Sequence, residues 1–186
     1  ARKRLAQLLD VFTPLVEDGI PIIGVEPSCT AVLRSDMLEL FADDPRARLI
    51  ADATFTLSEV LGGRAPVKPS DTFTLPSLAG TEIVVQPHCH QHAIIGFDAD
   101  RKLLQQMGAE LTQLSGCCGL AGNFGLERGH YEMSVAVAGN SLLPALRKAS
   151  DDALFLADGF SCRTQADQLA GREGGHLATL IAQRLG

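Results

Sequence analysis

Four short apolar runs, partly β-branched and each ending in Pro or Gly, punctuate the chain: GIPIIGVEP (19–27), TEIVVQP (81–87), AELTQLSG (109–116) and DALFLADG (152–159). Runs of this length and composition read as buried strands. The segments between them carry helical spacing instead. TAVLRSDMLELFAD (30–43) follows the first run, and PRARLIADATFTLSEVLGG (45–63) reads as one further helix. Its Pro45 suits a first turn, and its Gly62 and Gly63 suit an end. DADRKLLQQMG (98–108) has Asp98 as a cap and Gly108 as a stop. NFGLERGHYEMSVAVAGNSLLPALRKAS predicts one or two helices, broken near Gly139 or Pro144, and GGHLATLIAQRLG closes the chain. Residues 63–80, rich in Pro, Ser and Thr, read as a loop.

Strands alternating with helices predict an α/β fold: a doubly wound, mostly parallel open sheet flanked by helices, Rossmann-like in plan. Residues 1–186 read as a single domain, with no internal repeat and no second core visible in the pattern.

Composition narrows this further. A hydrophobic fraction of 46% and a charged fraction of 20% are ordinary for a globular chain. No apolar run approaches the length of a bilayer span, so no transmembrane segment is expected. The net charge is −6, with no basic block beyond ARKR at the start, which argues against nucleic acid as a partner. The chain begins without Met, inside an amphipathic pattern and with no signal-type cleavage region, and is expected to be a fragment of something longer. Five cysteines are an odd number, and nothing marks the chain as secreted. Thiols kept for metal or redox chemistry are therefore favoured over a disulfide framework.

The places of those cysteines carry the chemistry. Cys29 follows the first predicted strand, Cys89 the second, Cys117 and Cys118 the third, and Cys162 the fourth. Ligands of open parallel sheets sit beyond the carboxyl ends of the strands, so all five thiols are expected at that edge. Simple packing explains any one of them, since cysteine is among the most buried residue types, but explains five equivalent positions poorly. The adjacent pair in SGCCGLAGNFG (115–125) makes most sense with both sulfurs aimed at one inorganic object. Soft sulfur selects an iron–sulfur cluster, zinc or Cu(I). No C-x₂-C knuckle of the zinc kind occurs and the thiols are widely spaced along the chain, which suits a cluster of several irons better than one ion.

EPSCTAVLR, PHCHQHA, SGCCGLAGNFG and ADGFSCRTQ together resemble the cysteine-rich CCG domain family. That domain occurs in heterodisulfide reductase and in the iron–sulfur subunits of glycolate oxidase and anaerobic glycerol-3-phosphate dehydrogenase. The chain most resembles its copy at the C-terminal end of FAD-linked oxidases of the D-lactate or D-2-hydroxyglutarate dehydrogenase type. The resemblance covers nearly all of residues 20–180 and implies a C-terminal fragment of a longer oxidoreductase. It further implies an iron–sulfur cluster of the 4Fe-4S type, cubane or noncubane, with FAD and ferredoxin-like domains elsewhere in the same chain. Electrons would pass from a 2-hydroxy acid through FAD to a downstream acceptor. The location implied is cytoplasmic, with a peripheral place at the membrane through that acceptor as one option. A zinc-binding or degenerate structural domain without redox activity is the alternative.

Carried over residue by residue, the family pattern places ligands at Cys89, Cys117, Cys118 and Cys162. Its final C-x-x-C would begin at Gly159, where this chain lacks the thiol. Cys29 is the implied substitute, with Gly159 leaving room for the exchange. Helix dipole and first-turn N–H groups are expected to favour the Cys29 thiolate, because a helix is expected to start just after it. Among the three histidines around Cys89, His90 is favoured over His88 and His92 for contact with a cluster sulfur, and the alternative is a polar loop with one His as a cap. Gly119, with Gly116, Gly122 and Gly125, would either let backbone N–H groups approach the cofactor or allow tight helix packing. Glu26 is a catalytic candidate or a loop organiser. Arg34, Arg163 and Gln165 either face an acidic substrate or hold helices.

Overall fold

Every strand pairing among the described residues, 1–185 of the computed structural model, is parallel. The helices flank these strands as expected, and the α/β class is borne out. The strands fall into two sheets rather than one. Correspondingly the chain divides into two units, residues 1–73 with 90–100, and residues 74–89 with the rest from 101.

The first unit opens with α1 (Arg2–Glu17), which buries Leu5, Leu9, Thr13 and Val16 as one apolar stripe. Strand β1 (Ile22–Gly24) leads into α2 (Pro27–Ala31), a π-helical turn (Val32–Asp36) and α3 (Met37–Leu40). Then follow α4 (Pro45–Asp52), β2 (Thr54–Thr56) and α5 (Leu57–Leu61), with a second π turn at Gln91–Ile95. Strands β1 and β2 form a two-stranded sheet with Ile23 opposite Phe55, and Leu9, Met37 and Ile50 sit in the core at 0% exposure. The single helix expected over 45–63 is thus corrected: a strand interrupts it. The β-branched Thr54 and Thr56 favour extended backbone. Thr56 then caps α5 in a capping box with Glu59, each side chain meeting the other's backbone N–H.

The second unit holds β3 (Glu82–Val85), most of α6 (Asp98–Gln106), β4 (Glu110–Gln113) and a 3₁₀ turn at Phe124–Leu126. It continues through α7 (Tyr131–Ala138), α8 (Leu142–Lys148), β5 (Leu154–Leu156), α9 (Phe160–Ala170), β6 (Gly174–Gly175) and α10 (Leu177–Arg184). Its sheet runs β4-β3-β5-β6. Ile83, Val84 and Val85 of the central β3 are all buried, the unbroken apolar reading of a parallel strand covered on both faces. The helical break falls at Gly139. Pro144 lies inside the first turn of α8, where its missing N–H has no helical partner to lose.

Because β3, β4 and β5 are parallel, the loops that leave them emerge at one edge. The segments that follow these strands carry Cys89, Cys117 and Cys118, and, in the first turn of the helix after β5, Cys162. Cys29 does not share this sheet: it follows β1 of the other one. The expectation of five thiols at the edge of one sheet is therefore corrected to four, because among the described residues β1 pairs with β2 alone.

The loop after β4 is pressed onto α7. Gly119 has φ +93, and a Cβ there would overlap the Ser134 carbonyl oxygen and lie 3.1 Å from its carbon. Both the backbone conformation and the space demand glycine. We expect Gly119→Ala to cost about 3 kcal/mol or more, from the left-handed backbone plus the displacement of α7. Urea unfolding measures it, and a loss below about 1 kcal/mol would mean that the loop does not depend on this approach.

Candidate metal centre

Strand β3 runs on into Gln86 and Pro87, both buried, and Gln86 ties the edge loops together. Its amide Nε2 donates to the Pro87 carbonyl at 3.1 Å and to the Gly116 carbonyl at 2.8 Å. The loop bearing Cys89 is thereby held to the loop bearing the adjacent pair. The Oε1 of Gln86 is buried with no hydrogen-bond partner.

The four thiols of this unit interact with one another. Cys118 and Cys162 share a side-chain hydrogen bond, Cys117 bonds to Cys118, and Cys89 acts on both Cys117 and Cys162 through its charge. They differ in depth. Cys118 and Cys162 are 4% and 3% exposed and belong to an apolar cluster with Leu114, Leu120, Leu142 and Phe155. Cys89 and Cys117 are exposed. Packing therefore accounts for part of the two inner cysteines, and not for the outer two. All five cysteines are free thiols.

The inner pair is electrically unequal. Cys118 is pulled down from 9.0 to about 6, first by the hydrogen bond from Cys162 and then by the backbone N–H groups of Leu120 and Ala121 and the thiol of Cys117, against an opposing effect of burial. Cys162 donates that bond, and with burial this holds its own proton well above the ordinary thiol range. Cys117 is raised by burial, while the Gly119 N–H, 3.3 Å from its Sγ, works the other way. Backbone N–H groups of the CCG loop thus do point at cysteine sulfur, that of Gly119 at Cys117. The same glycine also serves helix packing.

The residues around the thiols are less as expected. His88 is buried, at 7% exposure, and its ring lies against Gly159. A Cβ at 159 would overlap Cδ2 of His88 and lie 3.0 Å from its Cγ. The space expected to stand open at Gly159 is filled by this imidazole. His90, the favoured histidine, is exposed and belongs to the first unit. Glycine at 159 also serves as the N-cap of α9, with Cys162 three residues on. No helix was expected over 160–170. FSCRTQADQLA buries one narrow stripe on a weakly amphipathic helix, and the buried Gln165, bonded to Ser134 Oγ at 2.9 Å, hides part of that stripe as polar.

Cys29 also departs from expectation. Helix α2 begins before it, at Pro27, and the Cys29 N–H is already engaged: Glu26 caps the helix and accepts from that N–H at 2.9 Å and from the Ser28 hydroxyl. Burial, and then the hydrogen bond and negative charge of Glu26, push the Cys29 thiol up rather than down. Glu26 is therefore a loop organiser. Arg34 pairs with Glu59 at 2.8 Å, and Arg163 donates to the carbonyls of Ala157 and Asp158, so both are structural cations. Among the described residues, no three His, Cys, Asp or Glu side chains converge at the spacing of a single metal ion.

The unequal pair has a measurable consequence. Because the folded pKa of Cys118 is depressed, its thiolate stabilises the metal-free fold fully above pH 9.0 and loses that contribution as pH falls through about 6. Thiolate absorbance of the metal-free chain is expected to rise with a first midpoint near pH 6. In Cys162→Ala that midpoint moves up toward 9.0. A first midpoint near 9.0 in both chains would contradict the assignment.

No protein-family model matches the chain. Among curated proteins it is 31% identical over 173 residues to a subunit of the anaerobic glycerol-3-phosphate dehydrogenase of Escherichia coli K12, covering 90% of this chain and 41% of that one. It is 25% identical over 172 residues to D-2-hydroxyglutarate dehydrogenase of Pseudomonas putida, covering 91% of this chain and 16% of that protein. The D-2-hydroxyglutarate dehydrogenase of Escherichia coli K12 is 26% identical over the same length, with the same coverage. The chain spans less than half the length of the curated relatives it matches. It is thus a homologue of one part of proteins named as dehydrogenases of two kinds.

Proposed function

We propose that this chain is a cysteine-rich CCG domain that binds an iron–sulfur cluster and carries electrons within a flavin-linked 2-hydroxy acid dehydrogenase. One observation carries the reading: four thiols that follow three strands of one parallel sheet, at its carboxyl edge, interact with one another. The donor set fits such a group. It is all soft sulfur, it has the count that a cubane requires, and it is served by backbone N–H groups. Cys89, Cys117, Cys118 and Cys162 would hold the cluster, which when bound accepts and releases single electrons.

The chain's own residues have separable tasks in this reading. The hydrogen bonds that favour the Cys118 thiolate lower the cost of deprotonating it, so it offers the first ligand. Cys162, held protonated by one of those bonds, would have to release its proton to serve as a ligand. The N–H groups of Gly119, Leu120 and Ala121 remain on the sulfurs, where they offset negative charge. The buried pair closes the inner side of the site against water, and the exposed Cys89 and Cys117 face outward, where an electron would enter or leave. The similarity to parts of dehydrogenases supports a place inside a larger oxidoreductase, with the hydroxy acid and its FAD bound by other domains. Free thiols suit a reducing compartment such as the cytoplasm. No helix among the described residues is long and apolar enough to cross a membrane.

The test is made in the full-length protein purified without oxygen. Cys118→Ser is expected to abolish iron–sulfur absorbance and to slow reduction of the acceptor by roughly tenfold or more, the scale of losing a buried ligand, while substrate still reduces the flavin. Loss of flavin reduction in a folded variant would place Cys118 in substrate oxidation. Unchanged acceptor reduction would remove the site from the electron path.

A further inference from the structure

The geometry points to His88 as a nitrogen ligand of this same centre, standing in the place that a thiol at position 159 would occupy. The inference rests on the reading of the four thiols as an iron–sulfur site. It starts from why position 159 is glycine at all. Gly159 has φ −71 and ψ 128, a conformation open to any L-residue, so the backbone does not require it. An N-cap does not require it either, since Ser, Thr, Asp and Asn cap better. What excludes a side chain is the His88 ring: a Cβ at 159 would overlap Cδ2 and crowd Cγ at 3.0 Å and Cβ at 3.3 Å. Glycine and imidazole are a matched pair.

The place that the imidazole takes has a defined chemistry. Residue 159 is the N-cap of α9 and Cys162 is its third helical residue. An N-cap side chain reaches over the first turn toward that third residue, which is the physical basis of reciprocal capping. A C-x-x-C at a helix start uses the same proximity to bring two sulfurs together. Here the His88 ring occupies the side-chain space of the first member while Cys162 supplies the second. His88 also adjoins Cys89 in sequence and comes from the β3 loop that Gln86 holds against Gly116. It is buried, as are Cys118 and Cys162. Imidazole is an accepted ligand of iron, and replacing thiolate by neutral imidazole lowers the negative charge of the donor set and raises the reduction potential. The set is then four thiolates and one imidazole within a single unit, one donor more than a cubane takes, so with His88 included the donors suit the noncubane type of cluster rather than the cubane.

The experiment uses the full-length protein made without oxygen and labelled with ¹⁵N-histidine. Pulsed EPR of the reduced protein is expected to show a strongly coupled nitrogen whose signal changes with the label, a readout that needs no substitution. His88→Ala is expected to lose that coupling and at least half of the bound iron. His88→Ala/Gly159→Cys, which restores a C-x-x-C, regains the iron, shows no nitrogen coupling and has a lower midpoint potential. Gly159→Cys alone, with two side chains competing for one space, binds less iron than the double variant. Iron and sulfide present with no histidine nitrogen coupled would overturn this inference and leave the proposed function standing. His88→Ala with full iron and an unchanged spectrum would do the same. Absence of any iron–sulfur signal in the wild-type protein would overturn both.

Discussion

The parallel pairing of β3 with both β4 and β5 is the constraint on which the candidate centre depends. A parallel ladder sends all its carboxyl ends in one direction, so three loops distant in sequence must leave at the same edge. The run of Ile83, Val84 and Val85 fixes β3 as the covered central strand, and Gln86 just beyond it ties its loop to Gly116. Thiols gathered in this way create a problem of their own. Four thiolates repel one another, and a buried one is poorly solvated. The chain without metal resolves this by sharing a proton between Cys118 and Cys162 and by turning backbone N–H groups onto sulfur. A bound cation cluster resolves it more completely, which is why the arrangement reads as a receptor for one.

Much of this was legible in the sequence because the signals were local and strong. All four predicted strands exist, as β1, β3, β4 and β5. Burial follows the apolar runs in β3 and β5, whereas β1 and β4 lie at sheet edges and keep exposed positions. What failed had physical reasons. Strand β2 hid in a continuous apolar pattern, although Thr56 and Glu59 spell a capping box that marks a helix start after it. Strand β6 is Gly174–Gly175, with no side chain to carry strand propensity; Phe155 and Arg163 crowd the space where a Cβ of Gly174 would stand. The division into two sheets could not be read from periodicity, which reports whether a strand is covered and not which strand is its neighbour.

The site was legible in its cysteines and less so in their surroundings. Vicinal cysteines flanked by glycine marked the loop, and the structure places the Gly119 N–H on Cys117 Sγ and its Cα against α7. The inequality of Cys118 and Cys162 depends on burial and hydrogen-bond direction, which spacing does not encode. Choosing among His88, His90 and His92 was a matter of which way a short loop turns. Only the packing of the ring on Gly159 distinguishes His88. Glycine at position 159, where the resemblance implies a thiol, was visible from the start; the side chain that fills its space was not.

The central claim is that the four thiols of the second unit form a receptor for a polynuclear iron–sulfur group. The most direct measurement is a Mössbauer spectrum of the chain produced with ⁵⁷Fe and kept without oxygen. The account predicts sulfur-coordinated iron in an exchange-coupled cluster, absent when Cys117 and Cys118 are both replaced by Ser in a chain that still folds. Protein that holds only zinc, or only isolated iron ions, would contradict it.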